Sequence, residues 1–378
     1  MGSTGGGTSG NIVFISWLRA IAPLIVLWSH LGGWWLSTRK VQSPLYDFWT
    51  TAVVTPLHLH QDGGHLGVLL FFLVSGFIIT HSSLREERFD FALKRIFRIF
   101  PMLWIAVILV VILHASAKML GFWSVLGPSS GSQNLETVLK SAFLVNWFVG
   151  PPYILSVTWT LAIEMLFYGL VWLFIPLTKK NPLAASWAML AVCVTVYGLN
   201  SLSYFKFVHF MWIWMYLPFL LVGRAFYLGA SGKLGPAQAI VYGLCCYGAF
   251  VLLFSNTNPM FWQPGAEIFI SHLYTIAIFS AFWVGSVTVL PRIVGFFSDT
   301  SYSLYLLHAP LGGFFIDFLA TRNGLRYELA LVIALPVLFG CVWLTHTYIE
   351  KPAQNFARAL ITLVRERKAR VTLASPAE

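Results

Sequence analysis

Charged residues are scarce in this chain of 378 residues, where Asp, Glu, Lys and Arg together account for only 10%. Soluble globular domains typically have about 25% charged residues, so this low fraction excludes an ordinary soluble protein. Apolar residues take their place: 58% of the chain is hydrophobic, and the mean hydropathy is +0.75. The composition therefore predicts a polytopic membrane protein.

Cysteine is also scarce, with only four residues in the chain: Cys193, Cys245, Cys246 and Cys341. All four lie in apolar runs, without the spacing of metal ligands and without a loop position suited to a disulfide. We interpret them as small core residues and predict no metal site.

Acidic residues are outnumbered, 14 against 24 Lys and Arg, which gives a net charge of +10. Such an excess raises the question of nucleic-acid binding, but the basic residues cluster between apolar runs. With the N-terminus in the cytoplasm, the clusters at 85–98, 179–180 and 351–370 all fall on the inner side, in agreement with the positive-inside rule. We therefore predict no nucleic-acid partner and cytoplasmic positions for both termini.

Ten apolar runs approach the length of about 20 residues that a membrane span needs. They predict an all-α bundle of about ten transmembrane helices in one domain, residues 12–350. A flexible Gly/Ser-rich segment precedes it at 1–11, and a basic cytoplasmic tail follows at 351–378. The predicted spans lie near 12–32, 65–81, 96–114, 157–177, 184–200, 207–228, 237–255, 268–290, 299–319 and 328–349.

Two ionisable residues, Arg19 and His30, lie inside the first apolar run. Eleven residues make three helical turns plus about 20°, so both side chains share one face, roughly 16 Å apart. Ionisable groups inside a span usually face a polar interior and have a function. This pattern predicts a histidine base in a protected cavity. The alternative is an interfacial histidine with an arginine that reaches the inner headgroups.

A second basic pair, Arg95 and Arg98, lies at the start of the third run, three residues apart on one helix face. Two guanidinium groups at the cytoplasmic mouth of a span suit the phosphates of a cytosolic donor. A lipid-headgroup anchor is the alternative, and the spacing alone favours it.

Glu164 is the one acidic residue deep in a predicted span of the first half of the chain. Counting along its span places it in the outer half, where His30 also lies. We therefore expect Glu164 beside His30, where a carboxylate would raise the basicity of the imidazole and fix its tautomer. The alternative is a helix-packing glutamate satisfied by tyrosine or backbone partners.

Three further segments have several interpretations. His65 begins a run that contains Ser75, where Gly and Ser on an aromatic helix favour close helix packing. His308 ends the run 299–308, and we interpret it as a satisfied core histidine. Trp159 suits either stacking on sugar rings or an aromatic membrane belt.

Together, five motifs in order resemble the acyltransferase-three family of integral membrane proteins, of the polysaccharide O-acetylase type. The resemblance covers about residues 12–350. The matching segments are Trp17-Leu18-Arg19-Ala20 with His30; Gly67-Val68 with Phe71-Phe72-Leu73-Val74-Ser75-Gly76-Phe77; Arg95-Ile96-Phe97-Arg98; Trp159-Thr160-Leu161-Ala162-Ile163-Glu164 with Phe167-Tyr168; and Tyr302-Ser303-Leu304-Tyr305-Leu306-Leu307-His308.

The resemblance implies an O-acyltransferase of the bacterial inner membrane. Such an enzyme moves an acyl group, often acetyl, from a cytosolic acyl-CoA to a hydroxyl of a cell-surface or lipid-linked carbohydrate. No bound cofactor is implied, since acyl-CoA is a co-substrate. Arg19 and His30 match the family's essential Arg–His pair, Arg95 and Arg98 its paired arginines, and Glu164 its tryptophan-associated acid.

Other residues of these motifs are expected to contact the acceptor or to be structural: Trp159, Tyr168, Ser75, His308 and His65. Two positions depart from the family pattern, Leu69 in place of a common Asp and Met165 in place of a second acid. Some relatives have a C-terminal esterase-like domain, whereas this chain ends in the basic tail. A second transfer step is therefore expected to require a partner protein.

The expected chemistry has His30 taking the proton of the acceptor hydroxyl while Glu164 steadies the imidazolium. An acyl-histidine intermediate is a competing route. A different class of function is also open: His30, Glu164 and His308 suit a proton relay in a transporter or flippase of a glycan or glycolipid.

Overall fold

The computed structural model describes residues 7–124, 134–202, 207–257, 265–285 and 287–374. Within these ranges all regular structure is helical. Ten helices are long and apolar enough to cross a membrane, as the sequence predicted: α1 Val13–Arg39, α2 His60–Arg85, α3 Arg88–Met119, α4 Ser156–Lys180, α5 Pro182–Leu202, α6 Val208–Ala230, α7 Pro236–Ser255, α8 Glu267–Val284, α9 Ser301–Arg322 and α10 Tyr327–Arg367.

Short helices lie in the connections: Pro44–Trp49 before α2, Leu135–Ala142 and Asn146–Val149 before α4, and Arg292–Asp299 before α9. Polar caps begin two of them. The hydroxyl of Ser43 accepts from the backbone N–H of Tyr46 at 3.4 Å, and Asn134 Oδ1 accepts from that of Thr137 at 2.9 Å. These caps satisfy N–H groups that a helix start leaves unpaired.

The central helix of the bundle is α2. In its most apolar stretch 89% of the residues are buried, against 28% for α5, α7, α8 and α10. The peripheral helices therefore turn long apolar faces outward, which suits contact with lipid tails. Side chains on α2 consequently meet several other helices, and both cavities described below use them.

A close crossing of α2 and α6 depends on two glycines. A Cβ at Gly76 would overlap the backbone oxygen of Leu220, and a Cβ at Gly223 would overlap that of Leu73. Small residues let membrane helices approach closely, and here they bring backbone against backbone.

Both ends of the described chain are helical. The helix that continues into α1 begins at Gly7, so part of the segment predicted as flexible, 1–11, is helical, and residues 1–6 lie outside the described residues. The predicted tail forms the helix Lys351–Ala374 and continues α10. It packs on α3, where the rings of Phe97 and Phe356 lie 5.4 Å apart and Arg365 pairs with Asp90.

Three of the membrane helices contain π-helical segments that include a histidine. Ser29–Trp34 interrupts α1, His308–Gly312 interrupts α9, and His346–Glu350 interrupts α10. Such wider turns often occur at functional sites.

Candidate active site

Helices α1 and α9 contact each other through two polar pairs at different depths. Nearer the start of α1, Arg19 Nη2 donates to the hydroxyl of Ser301 at 3.1 Å. Farther along, His30 Nδ1 lies 3.1 Å from His308 Nε2. Both α1 residues thus meet the same helix, in agreement with the face predicted from their spacing.

The histidine pair has a hydrogen-bond order that follows from its carbonyl partners. His308 Nδ1 lies 2.7 Å from the backbone oxygen of Tyr305, and since a carbonyl can only accept, Nδ1 must hold the proton. Neutral His308 therefore presents a lone pair at Nε2. His30 Nδ1 faces this lone pair and the backbone oxygen of Val26, at 3.0 Å, so it too must donate. The free lone pair of His30 is then at Nε2.

His30 lines a cavity of about 380 Å³, which we call the histidine cavity. Polar and aromatic groups surround it, a composition that is typical of a ligand site. Trp159 and His65 are among them, and so are residues from α1, α2, α4 and α9. The lining consists of Val26, Ser29, His30, Gly33, Trp34, Ser37, Tyr46, Gln61, Asp62, Gly64, His65, Val68, Ser156, Val157, Trp159 and Tyr305.

A second cavity, of about 220 Å³, contains Arg19 and the predicted arginine pair, and we call it the arginine cavity. Five of its lining side chains are basic, against one carboxylate, that of Glu164. Such a charge balance suits an anion. The lining consists of Arg19, Phe71, Val74, Ser75, Ile78, Ile79, Lys94, Arg95, Arg98, Ile99, Glu164, Tyr168, Tyr302, Gln354 and Arg358.

Two carboxylates hold the paired arginines in place. Arg95 lies 3.5 Å from Glu86, and Arg98 lies 3.5 Å from Glu350. Glu350 is 1% exposed and also accepts from the hydroxyl of Ser303 at 2.8 Å. These contacts orient the guanidinium groups but leave them at the cavity wall, so further donors remain for an anion.

Glu164 does not lie beside His30, and the expectation that placed it there is wrong. Its carboxylate accepts from the hydroxyl of Ser75 at 2.6 Å and lines the arginine cavity together with Tyr168. The reason is rotation: Glu164 follows Trp159 by five residues, about 140° around the helix, so the two face different cavities. The groups that fix the tautomer of His30 are instead the backbone oxygen of Val26 and Nε2 of His308.

A stacked aromatic pair separates the two cavities. Phe71 lines the arginine cavity and Tyr305 the histidine cavity, and their rings are nearly parallel with centroids 5.9 Å apart. The hydroxyl of Tyr305 is fixed on α4, where it donates to the backbone oxygen of Val157 at 3.0 Å. The two cavities are thus neighbours whose walls meet at this pair of rings.

The other predicted residues fall on both sides of this division. Ser75 and Tyr168 lie in the arginine cavity, and the Arg95 guanidinium stands 5.8 Å from the Tyr168 ring. His65 lies at the histidine cavity, with Nε2 at 3.3 Å from Nε2 of His272. In the part of the chain that the structure describes, no three His, Cys, Asp or Glu side chains are arranged to hold a metal ion.

The sequence did not single out two residues of these sites, Glu350 and Asp62. His308 was a candidate, expected to be structural or to contact the acceptor, but its contact with His30 was not predicted. Glu350 ends the π-helical segment His346–Glu350 within α10 and is a buried partner of Arg98, and its only signal in the sequence was a carboxylate at the end of an apolar run beside a basic cluster. Asp62 lines the histidine cavity from a Gly-rich turn, where its position before Gly63-Gly64 was the available signal.

Comparison with known proteins agrees with this architecture. The family model described as an acyltransferase domain matches residues 12–347, nearly the whole membrane bundle. The chain therefore belongs to the acyltransferase-three family. It is a multi-pass integral membrane acyltransferase.

Two curated relatives span most of the chain. Nodulation protein 10 of Rhizobium leguminosarum bv. viciae is 24% identical over 334 residues, covering 82% of this chain and 85% of the relative. "Putative membrane-bound transacylase BcsY" of Komagataeibacter xylinus is 26% identical over 344 residues, covering 83% and 82%. No solved structure matches the chain.

Proposed function

We propose that this protein transfers an acyl group, acetyl in the simplest case, from a cytosolic acyl-CoA to a hydroxyl of a cell-surface or lipid-linked carbohydrate. His30 is the general base. The observation that carries the proposal is the order of hydrogen bonds from the Tyr305 carbonyl through His308 to His30. It directs the basic Nε2 of His30 away from its protein partners, as a general base requires.

The arginine cavity is the proposed donor site. Arg95 and Arg98 bind the phosphates of acyl-CoA, while Arg19 lies deeper on α1 beside the thioester arm. Exposed Arg358, whose guanidinium donates to Asn355, adds a further positive charge at the rim. Phosphate binding by several guanidinium groups is strong because each forms charge-assisted hydrogen bonds.

The acyl group must then pass the stacked pair of Phe71 and Tyr305. Arg19 and His30 are separated by about 16 Å along α1, so the thioester arm has to extend between the cavities. We infer that the rings separate when the arm enters. This division would keep acyl-CoA away from water on the far side of the membrane.

The proposed reaction is a direct transfer. Nε2 of His30 removes the proton of the acceptor hydroxyl as its oxygen bonds to the thioester carbon. The carbon–sulfur bond then breaks, and the imidazolium returns its proton to the thiolate of CoA. Throughout the reaction, Nε2 of His308 accepts the hydrogen bond from the Nδ1–H of His30 and so holds the His30 ring in place. The same residues permit an acyl-histidine route, in which Nε2 itself attacks the carbonyl.

The proposed setting is the bacterial inner membrane, with both termini and the arginine cavity on the cytoplasmic side. The basic residues Lys94, Lys179 and Arg358 lie at that end of the bundle, in agreement with the positive-inside rule. The histidine cavity then opens to the side where surface carbohydrates are assembled. A partner protein for a later transfer step belongs to the same proposal.

The test is to incubate the purified protein in detergent with acetyl-CoA and a membrane glycan extract, and to follow free thiol and glycan ester. Removing the base should lower the rate about 10²- to 10⁴-fold in His30→Ala. His114→Ala is the control, because His114 lines neither cavity. Equal rates in His30→Ala and the wild type would overturn the proposed base. Proton-driven glycan movement without ester formation would support a transporter instead.

A further inference from the structure

Asp62 lies in the histidine cavity on a turn that the surrounding residues hold in an uncommon conformation. Gln61 and Asp62 have φ values of 51° and 57°, in the left-handed region that non-glycine residues rarely adopt. The hydroxyl of Ser29 donates to the backbone oxygen of Gln61 at 2.8 Å and fixes the turn to α1. Strain of this kind is often retained where a side chain must be placed for function.

The two carboxylate oxygens of Asp62 have different surroundings: one is hydrogen-bonded within the protein, and the other is left for a ligand in the cavity. Oδ1 accepts from the hydroxyl of Tyr46 at 2.6 Å, while Oδ2 has no hydrogen-bond partner among the described residues. Burial raises the pKa of Tyr46 to about 12, so the phenol remains a donor. Oδ2 is therefore the acceptor that this carboxylate presents to a ligand.

The position of Oδ2 relates it directly to His30. A Cβ at Gly33 would overlap Oδ2, so this oxygen occupies the place of a side chain there. Gly33 and His30 both belong to the π-helical segment Ser29–Trp34, and both line the histidine cavity together with Asp62. Trp34 stands on the same segment, edge to face with His30 at 6.1 Å, and is 45% exposed.

We infer that Asp62 and Trp34 form the acceptor subsite, with Asp62 accepting a hydrogen bond from a second hydroxyl of a polyhydroxylated acceptor while His30 deprotonates the first. This inference rests on the proposed function and adds the residues that select the acceptor. A carboxylate oxygen in the same cavity as the base favours substrates with neighbouring hydroxyls over simple alcohols. The ring of Trp34 offers an apolar platform for the sugar face.

The test measures thiol release at varied concentrations of a membrane glycan extract with saturating acetyl-CoA. Asp62→Asn should raise the half-saturating acceptor concentration about tenfold or more, since it removes a charged hydrogen-bond acceptor, and should leave the KM for acetyl-CoA unchanged. Tyr46→Phe, which removes the partner of Oδ1 and keeps the carboxylate, should change the half-saturating acceptor concentration less than about threefold. Asp47→Asn, at an exposed position, is the matched control.

Trp34→Ala keeps the test valid if Asp62→Asn folds poorly, because Trp34 is largely exposed and its removal should raise the same half-saturating concentration severalfold. A half-saturating concentration unchanged in both variants overturns the inference, and so does an effect of Tyr46→Phe as large as that of Asp62→Asn. Failure of the proposed function is distinguishable, because His30→Ala would then release thiol as fast as the wild type.

Discussion

At the residue scale, the chemistry of the site depends on which nitrogen of each histidine holds a proton. The backbone oxygens of Val26 and Tyr305 decide this, because each can only accept a hydrogen bond. No charged partner is needed for the order to hold. In this respect the pair differs from a histidine held by a carboxylate, and both rings can remain neutral between turnovers.

The role of His308 predicts different results for two substitutions. His308→Ala removes one of the two acceptors of the His30 Nδ1–H and the ring that packs against His30, so the imidazole is held less firmly and kcat should fall about a hundredfold. His308→Gln should restore most of the activity, since its amide oxygen accepts from His30 and its amide nitrogen donates to the Tyr305 carbonyl. The measurement is thiol release against pH. Equal losses in both variants would show that His308 does not orient His30.

The position of Glu164 among the arginines leads to a second prediction. Glu164→Gln removes one negative charge from the arginine cavity, so the KM for acetyl-CoA should fall severalfold. The midpoint of the pH–rate profile should stay unchanged, because Glu164 does not contact His30. Glu136→Gln, which changes a carboxylate in the connection before α4, serves as the control. A displaced midpoint would return Glu164 to the role of partner to His30.

At the element scale, the proposed path of the acyl group follows α2, which lines both cavities. Val68 lies at the histidine cavity, Phe71 beside the division, and Ser75 at the arginine cavity. Residues three and four apart follow one face of the helix, so α2 offers one stripe along the path. The opposite part of α2 meets α6 at the glycine crossing.

The glycine crossing of α2 and α6 should be sensitive to a single methyl group. Gly76→Ala forces the backbones apart, so we expect a loss of about 1–3 kcal/mol in the free energy of unfolding. Gly169→Ala is the matched control on α4, because nothing lies within 4 Å of a Cβ there. Unfolding in detergent, followed by circular dichroism, compares the two. Equal stability of both variants would contradict the tight crossing.

The helices were predictable from sequence because each apolar run approaches the length of a span, and all ten appear in the structure. That Arg19 and His30 lie on one face of α1 was also predictable, because it depends only on the number of residues per turn within a single helix. The contact of His30 with His308 was not, since 278 residues separate them and only the packing of α1 on α9 brings them together. Glu164 was wrongly expected beside His30, because the depth of a residue along its span does not determine which side of the helix its side chain occupies.

At the scale of the whole molecule, two polar cavities meet inside an apolar bundle and are separated by one aromatic stack. Each polar group in this interior has a cost that must be offset by a partner or a ligand. In the described ranges Arg19 forms no ion pair, and its guanidinium donates a hydrogen bond to the hydroxyl of Ser301. A bound acyl-CoA would supply the missing negative charge. The unfavourable burial of the Arg19 charge would then be offset when the donor binds.

The stack of Phe71 and Tyr305 should act as a barrier against water. Phe71→Ala connects the two cavities, so acetyl-CoA hydrolysis in the absence of any acceptor should rise severalfold. Phe174→Ala, at a position that lines neither cavity, should leave it unchanged. Thiol release without glycan measures both. Unchanged hydrolysis in Phe71→Ala would show that the ring does not separate the compartments.

The central claim, that the acyl group crosses the bundle from the arginine cavity to the histidine cavity, is tested most directly in proteoliposomes of known orientation. Acetyl-CoA with a labelled acetyl group is supplied on one face and a membrane glycan extract on the other. We predict labelled glycan only when acetyl-CoA is on the face of Lys94 and Arg358 and the glycan is on the face of Trp34. Labelling only when both substrates share one face would contradict the account.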